Sequence, residues 1–330
     1  MTERSKTIFV TGGSGFVGKA LLKRLTAKGW TVLAMARSES AAKIVADLGA
    51  EPVIASLEDL DTCTEALSRS GAVVHLAARK SGSKVADYWR DNHDTAVDLA
   101  QRSCASGVSR FVFVSTGSLA ARAGEPACCV KEDEPVGDQA WLPYLDTKKN
   151  AERSIQSCDI HGQFRTVSLR PCLIWAQDAP FADNVTSGSW RAINGGDHLH
   201  STIHVDNLAQ AIELVLKADD AQLAPVFHVN DYPTGDPKTL RLAEVVEALR
   251  KSRGLSGVGS TVSYGLAKAG AGVTDFFFRL FNPGSVLGAR AAVQMFGQEL
   301  TTDDSLIRER LGYEAEHDAR EILARLSEAS

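Results

Sequence analysis

The chain has 330 residues, of which 44% are hydrophobic and 23% charged, the proportions of an ordinary globular protein. Its 36 Lys and Arg residues against 41 Asp and Glu residues give a net charge of −5, which argues against a nucleic-acid binder with a basic face. The longest stretch without Asp, Glu, Lys or Arg, residues 254–267, is too short and too rich in glycine to cross a bilayer, so no transmembrane segment is expected.

The length and the cysteine pattern indicate two structural units in a reducing compartment. At roughly 150 residues per domain, the chain is long enough for about two domains. Residues 1–6 run directly into an apolar strand with no signal-peptide core, and the six cysteines show no paired spacing. No metal is expected, because neither the cysteines nor the eight histidines cluster as zinc ligands do. We therefore expect a cytoplasmic protein with reduced, mostly buried cysteines.

The first half of the chain alternates predicted strands and helices. The apolar runs that predict strands are Thr7–Thr11, Thr31–Ala36, Pro52–Ala55, Ala72–Leu76 and Arg110–Ser115. The segments with helical periodicity between them are Phe16–Lys28, Ser38–Leu48, Leu60–Leu67 and Val85–Ala105. Strands that are apolar throughout and separated by helices form right-handed crossovers, so they predict a parallel sheet covered on both faces.

The second half adds one more helix and strand to this alternation, and beyond them the regular alternation ends. The predicted elements are a loop over Leu119–Leu142, a helix over Tyr144–Cys158, a strand over Arg165–Arg170 ended by Pro171, an irregular segment over 176–202, a helix over Val205–Leu216 and a strand over Val226–Val229. The remainder is mainly helical. We predict a Rossmann-type doubly wound α/β domain over residues 1–175 and about 203–230, and a smaller, mainly helical substrate-binding domain over 176–202 and 231–330.

A glycine-rich loop lies between the first predicted strand and the first predicted helix. Its spacing is Gly12-x-x-Gly15-x-x-Gly18. Glycines at these positions permit a tight turn, a close backbone approach to a pyrophosphate and close packing of the helix on the sheet. Because the strand–loop–helix context is present, the motif predicts a dinucleotide site. The expected cofactor-binding residues of this loop are Thr11, Gly12, Gly15, Phe16, Val17 and Gly18.

The end of the second strand predicts the choice of cofactor. A carboxylate there would bind the ribose 2′-hydroxyl and repel a 2′-phosphate. This chain has Arg37 and Ser38 at that point, with no carboxylate before Glu39. A guanidinium can pair with a 2′-phosphate and a serine can add a hydrogen bond, so NADP is favoured over NAD. The alternative is that Arg37 is an ordinary surface arginine and that the cofactor is NAD.

Three residues are spaced for proton transfer to or from an oxygen. Thr116 follows the fifth strand, and Tyr144 and Lys148 lie one helical turn apart on one face. A tyrosine, whose ordinary pKa is about 10, ionises more readily beside an ammonium group and an oxidised nicotinamide. We predict Tyr144 as the general acid and base. The same spacing recurs at Tyr264 and Lys268, which we interpret as chance because no strand is predicted before that copy.

Together these motifs resemble the extended short-chain dehydrogenases/reductases, the superfamily of NAD(P)-dependent epimerases, dehydratases and 3β-hydroxysteroid dehydrogenases. The segments that carry the resemblance are Thr11–Gly18, His75–Ala78, Ser115–Thr116, Tyr144 with Lys148, Leu169–Pro171, Ile203–Ala209 and Leu311–Tyr313. The sequence departs from the family pattern at Ala55-Ser56-Leu57, at Asn92–Ala96, where only the asparagine is retained, and at Ala176.

The resemblance implies roles for these residues. Tyr144 would be the acid and base, Lys148 would bind the nicotinamide ribose and lower the pKa of the tyrosine, and Thr116 would orient the substrate. The further cofactor contacts that it implies are Ser56, Leu57, Ala77, Ala78, Ser115, Pro171 and Ile174. It also implies a homodimer, since the long helices after the fourth and fifth strands often form a four-helix bundle in such enzymes.

The run from Leu169 to Trp175 resembles hydroxysteroid dehydrogenases, sterol reductases and 3-oxoacyl reductases. We therefore expect an NADP-dependent enzyme that transfers hydride to or from a secondary alcohol or ketone on a mostly apolar small molecule. One alternative is a nucleotide-sugar epimerase, dehydratase or reductase with tightly bound NAD, in which Arg165 or Arg191 would reach a diphosphate. Another is a non-catalytic NADP(H) sensor or scaffold. The apolar segment Phe276–Phe281 would pack in the core, roof a pocket or rest on a membrane surface.

Overall fold

A computed structural model describes residues 6–80, 84–122, 125–136, 142–282, 284–285 and 288–328. Its strands are β1 Thr7–Thr11, β2 Thr31–Ala36, β3 Glu51–Ile54, β4 Ala72–His75, β5 Arg110–Val114, β6 Ala127–Val130, β7 Arg165–Pro171, β8 Leu173–Trp175, β9 Arg191–Ile193, β10 Thr202–His204, β11 Val226–Val229, β12 Ser260–Val262 and β13 Leu300–Thr302. Its helices are α1 Phe16–Ala27, α2 Glu39–Asp47, α3 Thr64–Arg69, α4 Val85–Trp89, α5 Thr95–Ala105, α6 Pro143–Gln156, α7 Pro180–Thr186, α8 Val205–Lys217, α9 Leu242–Lys251, α10 Tyr264–Phe281, α11 Ala289–Phe296, α12 Ser305–Leu311 and α13 Ala319–Glu328.

Seven of the strands form one parallel sheet in the order β11-β7-β5-β4-β1-β2-β3. The chain fills the sheet outward from β1 on one side and then from β4 on the other. The reversal between β1 and β4 leaves a crevice at the carboxyl ends of these strands, where doubly wound folds bind their ligands. The predicted Rossmann-type fold is thereby confirmed.

Helices cover both faces of this sheet because its central strands are apolar on both sides. On one face, leucines of α1 such as Leu21 and Leu25 pack with Leu208 and Ile212 of α8. On the other face, α3, α5 and α6 contribute residues such as Leu67, Leu99 and Ile155 to a second core. Burying a side chain of this size stabilises the fold by about 1.5–3 kcal/mol, so the two cores hold the carboxyl edges of the strands in place.

The remaining part of the chain packs around a third apolar core. Helices α7, α9 and α13 meet there through residues such as Val185, Val245 and Leu323, with Trp175 of β8 fully buried between them. The C-terminal part is mainly helical, as expected. The division into two domains at the stated boundaries remains a prediction. Within the described ranges, no helix is both long and apolar enough to cross a membrane.

The structure corrects several expectations. The predicted irregular segment 176–202 contains α7 and β9, and the predicted loop over Leu119–Leu142 contains β6, while residues 123–124 and 137–141 lie outside the description. The long predicted helix is interrupted by a π-helical turn over Arg90–Asp94. Strands of three residues, such as β9, give too few alternations to be detected by periodicity.

The expectation of mostly buried cysteines is wrong. Of the six, only Cys63 is buried, and Cys128 and Cys129 are exposed on β6. Core packing of the segment Phe276–Phe281 is wrong as well, since Phe276, Phe277, Leu280 and Phe281 are all exposed. Finally, the Tyr264 and Lys268 copy does follow a strand, β12, but that strand pairs with β9 and lies outside the seven-stranded sheet.

Candidate functional site

The glycine loop is packed so closely that side chains are excluded at two of its positions. Gly12 has a φ of +72°, and a Cβ there would lie 2.9 Å from the backbone nitrogen of Ala77. A Cβ on Gly18 would lie 2.2 Å from the carbonyl oxygen of Gly12. The Gly15 N–H donates to that same oxygen at 3.0 Å and closes the turn. The loop therefore depends on glycine to fit between β4 and α1.

The N-terminus of α1 points from this loop towards the crevice, and no acidic side chain in its first turn offsets the positive end of the helix dipole. Gly15 caps the helix with no side-chain hydrogen bond, and the first turn holds no acidic residue. The free N–H groups and the helix dipole therefore favour an anion at this point. A pyrophosphate fits such an end, so the predicted dinucleotide loop has the required chemistry.

Thr11, His75 and Ala77 are brought together where β1 and β4 end. The Thr11 hydroxyl lies 2.8 Å from His75 Nδ1, and the Ala77 N–H donates to the same hydroxyl at 3.4 Å. His75 is fully buried and stacks on Phe113. Burial, assisted by the charge of Lys148, lowers the pKa of His75 to about 3, so the imidazole is neutral. This contact fixes the backbone that borders the loop. The sequence showed the histidine as part of a motif but did not reveal this contact.

Asn92 clamps the chain after β4. Its Oδ1 accepts from the Arg79 N–H at 2.6 Å, and its Nδ2 donates to the Arg79 carbonyl at 3.0 Å and to the Thr147 hydroxyl at 3.3 Å. Asn92 lies in the π-helical turn, which aims its buried side chain at the segment following Ala78. The retained asparagine therefore ties this segment to α6.

Helix α6 carries Tyr144 and Lys148 and starts at Pro143, a residue well suited to the first helical position. The Lys148 Nζ donates to the Val114 carbonyl at the end of β5 at 2.8 Å, and the side chain is 2% exposed. Burial lowers the pKa of Lys148 to about 7, and the charge of Lys80 acts in the same direction. Sequence reasoning missed Lys80, which lies two residues beyond Ala78 and acts on this ammonium.

Burial raises the pKa of Tyr144 to about 12. The phenol is therefore protonated at neutral pH when only protein surrounds it. The expected lowering of the tyrosine pKa by Lys148 is not produced by the protein side chains alone, and it remains a prediction for the cofactor-bound form. A protonated phenol is a proton donor, which suits the reduction of a carbonyl group.

The short helical turn that follows Thr116 reaches the apolar cluster against which Tyr144 packs. The Thr116 hydroxyl accepts from the Ser118 N–H at 3.2 Å and so caps the short helical turn Gly117–Ala120. Leu119 of that turn belongs to the same apolar cluster as Tyr144. Gly117 permits this arrangement, because a Cβ there would lie 2.3 Å from the sulfur of Cys172.

The other expected cofactor residues lie at the same carboxyl edge. Ser115 N–H bonds to Leu169 at 2.8 Å beside buried Pro171, and the Ser115 hydroxyl is buried with no partner in the described part of the chain. Ile174 is half-buried in β8 and pairs with Ile203. Ala78, like Ala77, is half-buried after β4.

Arg37 and Ser38 follow β2 at the surface. Ser38 caps α2 by accepting from the Ala41 N–H at 3.2 Å. The Ala55 N–H donates to Ala36 at 3.2 Å, which places the half-buried Ser56 and Leu57 beside this corner. Arg37 is exposed and makes no ion pair with a described carboxylate, so its guanidinium is available to an anion.

The apolar cluster around Tyr144 also receives residues from the C-terminal part. Ala291 and Met295 of α11 pack against Leu119, Leu142 and Leu145, the partners of Tyr144. Gln294, between them, donates to the Ala121 carbonyl at 3.1 Å. Helix α11 therefore forms an apolar roof over the leucine cluster against which Tyr144 also packs. Sequence reasoning did not find this contact, since nothing in the α11 pattern marks its partner.

The nucleotide-sugar alternative expects Arg165 or Arg191 to reach a diphosphate, and in the structure both side chains bond to nearby protein groups. Arg165 begins β7, so it lies at the opposite edge of the sheet, roughly 20 Å from the end of the seven-residue strand. There it pairs with Asp159 and donates to the Leu223 carbonyl. Arg191 donates to the carbonyls of Gly188 and Trp190 in its own loop. Arg165 is therefore too far from the crevice for the expected contact, whereas Arg191 is exposed and the role expected for it stays untested.

Comparisons with known proteins agree with this geometry. The family model of the NAD dependent epimerase/dehydratase family matches residues 8–230. A 4-hydroxy-2-methyl-3-oxo-4-farnesyl-3,4-dihydroquinoline-1-oxide ketoreductase of Stigmatella aurantiaca is 32% identical over 92% of this chain and 91% of its own. A decarboxylating sterol-4-alpha-carboxylate 3-dehydrogenase of Dictyostelium discoideum is 27% identical over 93% of this chain and 96% of its own.

A solved structure of a short-chain dehydrogenase/reductase superfamily protein from Agrobacterium tumefaciens, with bound NAD, has the same fold. It superposes with a TM-score of 0.70 at 22% identity, covering 98% of this chain and 96% of its own.

Proposed function

The chain belongs to the NAD dependent epimerase/dehydratase family, and from this premise we propose that it is a reductase that converts a ketone on a mostly apolar small molecule to a secondary alcohol with NADPH. As an NAD(P)-dependent oxidoreductase of the extended short-chain type, it exchanges hydride with a nicotinamide cofactor. What remains to be proposed is the substrate, the direction and the form of the cofactor.

The observation that carries the proposal is the protonated, roofed Tyr144. Its pKa of about 12 keeps the phenol protonated at neutral pH, so it can donate a proton to the carbonyl oxygen as that oxygen gains negative charge. Thr116 would hold the same oxygen, and Lys148 would bind the nicotinamide ribose. Leucines and a methionine surround the phenol, which favours an apolar substrate. The names of the two relatives, a farnesyl-quinoline ketoreductase and a sterol dehydrogenase, support the same substrate class.

The cofactor would lie along the carboxyl edge of the sheet. The glycine loop and the start of α1 would hold the pyrophosphate, Ala77, Ala78, Ser115, Pro171 and Ile174 would border the nicotinamide half, and Ser56 and Leu57 the adenine half. We propose NADP because exposed Arg37 is free of described carboxylates and can pair with a 2′-phosphate.

Replacing the phenol tests the catalytic role. Tyr144→Phe should lower turnover of a 3-oxoacyl or prenylated ketone by roughly 10²- to 10⁴-fold while leaving NADPH binding unchanged. Tyr264→Phe removes the hydroxyl of the second tyrosine–lysine pair and should leave turnover intact. If Tyr144→Phe keeps full activity, Tyr144 is not the acid. If neither the wild type nor either variant turns over any ketone, the reductase proposal is wrong, and the non-catalytic NADP(H) sensor becomes the proposed function.

The cofactor preference has its own test. NADPH should bind more tightly than NADH in a fluorescence titration, and Arg37→Glu should remove roughly 10- to 100-fold of that preference. Lys43→Glu makes the same charge change on exposed α2 and should preserve it. Preference for NADH in the wild type would contradict the NADP proposal without touching the role of Tyr144.

Two further proposals concern the state of the protein in the cell. We propose a cytoplasmic protein, in keeping with its cysteines, which form no disulfides in the structure. We also propose a homodimer through α4, α5 and α6, which pack side by side on one face of the sheet. Sedimentation velocity would test the dimer, and a monomer at micromolar concentration would contradict it.

A further inference from the structure

His200 is a buried histidine that joins α11 to the segment before β10. Its side chain belongs to a residue that is 1% exposed, and each ring nitrogen lies on a backbone carbonyl. Nδ1 is 2.9 Å from the Ser201 oxygen, and Nε2 is 3.1 Å from the Met295 oxygen. Phe296 stacks on the ring, with 5.9 Å between the two centroids. One side chain therefore connects two segments that lie almost a hundred residues apart in the sequence.

The bond to the Met295 carbonyl holds the roof that α11 forms. Met295 packs on the leucine cluster against which Tyr144 also packs. The charged residue of α11, Arg290, lies in the first turn of the helix and is paired with Asp275 at 3.5 Å. His200 bonds to the last turn instead, which is the turn that carries Met295. Losing this bond would loosen the roof where it meets the cluster.

The two carbonyls set a condition on the charge of the ring. A carbonyl oxygen only accepts hydrogen bonds, and a neutral imidazole carries a single N–H, so the neutral ring can donate to one of the two oxygens. Its other nitrogen then turns a lone pair towards an oxygen, which is unfavourable in a buried position. The imidazolium carries two N–H groups and can donate to both oxygens. Both bonds are therefore formed only when His200 is protonated.

The charged groups on the adjoining segments do not bond to this ring. His198 precedes it, and burial lowers the pKa of His198 to about 4, so that side chain is neutral. Asp197 and Arg241 are paired with each other at 2.9 Å. Burial also lowers the pKa of His200 from its ordinary 6.5, while the bonds to the two carbonyls oppose this effect. The ring therefore gains its proton below pH 6.5.

A cavity gives protons a path to His200. The cavity has a volume of about 250 Å³, and His200 borders it. The other titratable side chains on its wall are the exposed Cys129 together with Tyr232, Asp236 and Glu299. Within the described ranges, none of the four bonds to the ring of His200. The ring can therefore change its charge while the carbonyls remain its hydrogen-bond partners.

We propose that His200 is a positioning residue that latches α11 as an imidazolium and gives up one of its two bonds as a neutral ring. The term latch denotes the pair of bonds from His200 to the Ser201 and Met295 carbonyls. An apolar ketone under the roof would then bind more tightly as the pH falls and the latch closes. This consequence for the substrate rests on the proposed function, whereas the latch itself does not.

Hydrogen exchange of α11 tests the latch without any substrate. Amide protection of α11, corrected for the intrinsic effect of pH on exchange and measured relative to α1, should be about three- to tenfold higher at pH 5 than at pH 7.5. His200→Gln keeps one N–H donor at every pH, so it should fold and lose this difference. His161→Gln removes an exposed histidine and should keep it. A wild type without the difference, or a His200→Gln protein that retains it, would overturn the latch.

The KM for an apolar ketone tests the positioning role. From pH 7.5 to pH 5 the wild-type KM should fall about three- to tenfold more than the KM of His200→Gln. Gln294→Ala removes the bond from the same roof to the Ala121 carbonyl, so it should raise KM by one factor at every pH. Lys148, whose pKa is about 7, titrates in all three proteins and cancels from these ratios.

The outcomes separate the latch from the proposed function. If His200→Gln also raises KM by one factor at every pH, His200 only supports the fold and the positioning role is wrong. If the wild type turns over no ketone while its exchange difference persists and is absent from His200→Gln, the reductase proposal fails and the latch stands.

Discussion

The glycine loop, residues 11–18, and the α10–α11 hairpin, which runs from Tyr264 to Phe296, border the same crevice but are held in different ways. The loop lies against backbone atoms of β4 and α1, at distances that exclude a Cβ. The hairpin is held by side-chain contacts and by hydrogen bonds to separate parts of the chain, and it leaves most of one helix face in solvent. Sites made of backbone tolerate little change in sequence, whereas sites made of side chains can vary with the substrate.

Breaking the buried ion pair behind α6 should give the largest effect. Glu152 of α6 and Arg170 of β7 are 3% and 7% exposed, with Arg170 Nε 3.0 Å from Glu152 Oε2. Glu152→Ala leaves a buried guanidinium without its partner and should cost about 3–5 kcal/mol of unfolding free energy. Glu51→Ala breaks the exposed pair with Arg69 and should cost at most about 1 kcal/mol. Urea denaturation measures both, and equal losses would contradict the distinction.

A methyl group in the glycine loop should give the next largest effect. Gly18→Ala places a Cβ 2.2 Å from the Gly12 carbonyl oxygen, so the loop must shift, at a cost of about 1–3 kcal/mol. Because the same backbone would hold the pyrophosphate, cofactor affinity should fall as well. Gly188→Ala adds a methyl group in open space and should change neither quantity. A Gly18→Ala protein that binds cofactor normally would show that the loop can relax.

The pH dependence of stability should reveal the buried Lys148. Its pKa is lowered to about 7 in the folded state, while the unfolded chain keeps the ordinary 10.5. Between these values the unfolded state binds more protons, so this group makes stability rise with pH, by at most about 1.4 kcal/mol per pH unit. Lys148→Met removes this contribution. The difference in unfolding free energy between wild type and variant should therefore increase from pH 7 to pH 9. A constant difference would show that the lysine keeps its ordinary pKa.

The sequence predicted the backbone-built part of the site and missed the contacts made by side chains from distant segments. The sheet, the glycine loop and the pairing of Tyr144 with Lys148 were predictable, because continuous apolar strands and a fixed spacing leave few arrangements open. The clamp by Asn92 and the roof by Met295 were not predictable. Asn92 bonds to a residue more than ten positions away and Met295 packs on residues more than a hundred positions away, and no local sequence pattern marks either contact. The three-residue strands β9 and β12 were missed for the reason that their length hides any alternation.

Truncating the roof should give the smallest change in stability and a selective change in function. Met295 is half-buried, so Met295→Ala should cost less than about 1 kcal/mol of unfolding free energy. Its contact with the Tyr144 cluster predicts a KM for an apolar ketone that rises several-fold, with cofactor affinity unchanged. Leu255→Ala, in the exposed turn between α9 and β12, removes a similar side chain and should leave KM unaltered. If Met295→Ala lowered cofactor affinity instead, the roof and the glycine loop would be one coupled unit. An unchanged cofactor affinity means that the chain can alter its substrate pocket without altering the backbone that holds the nucleotide.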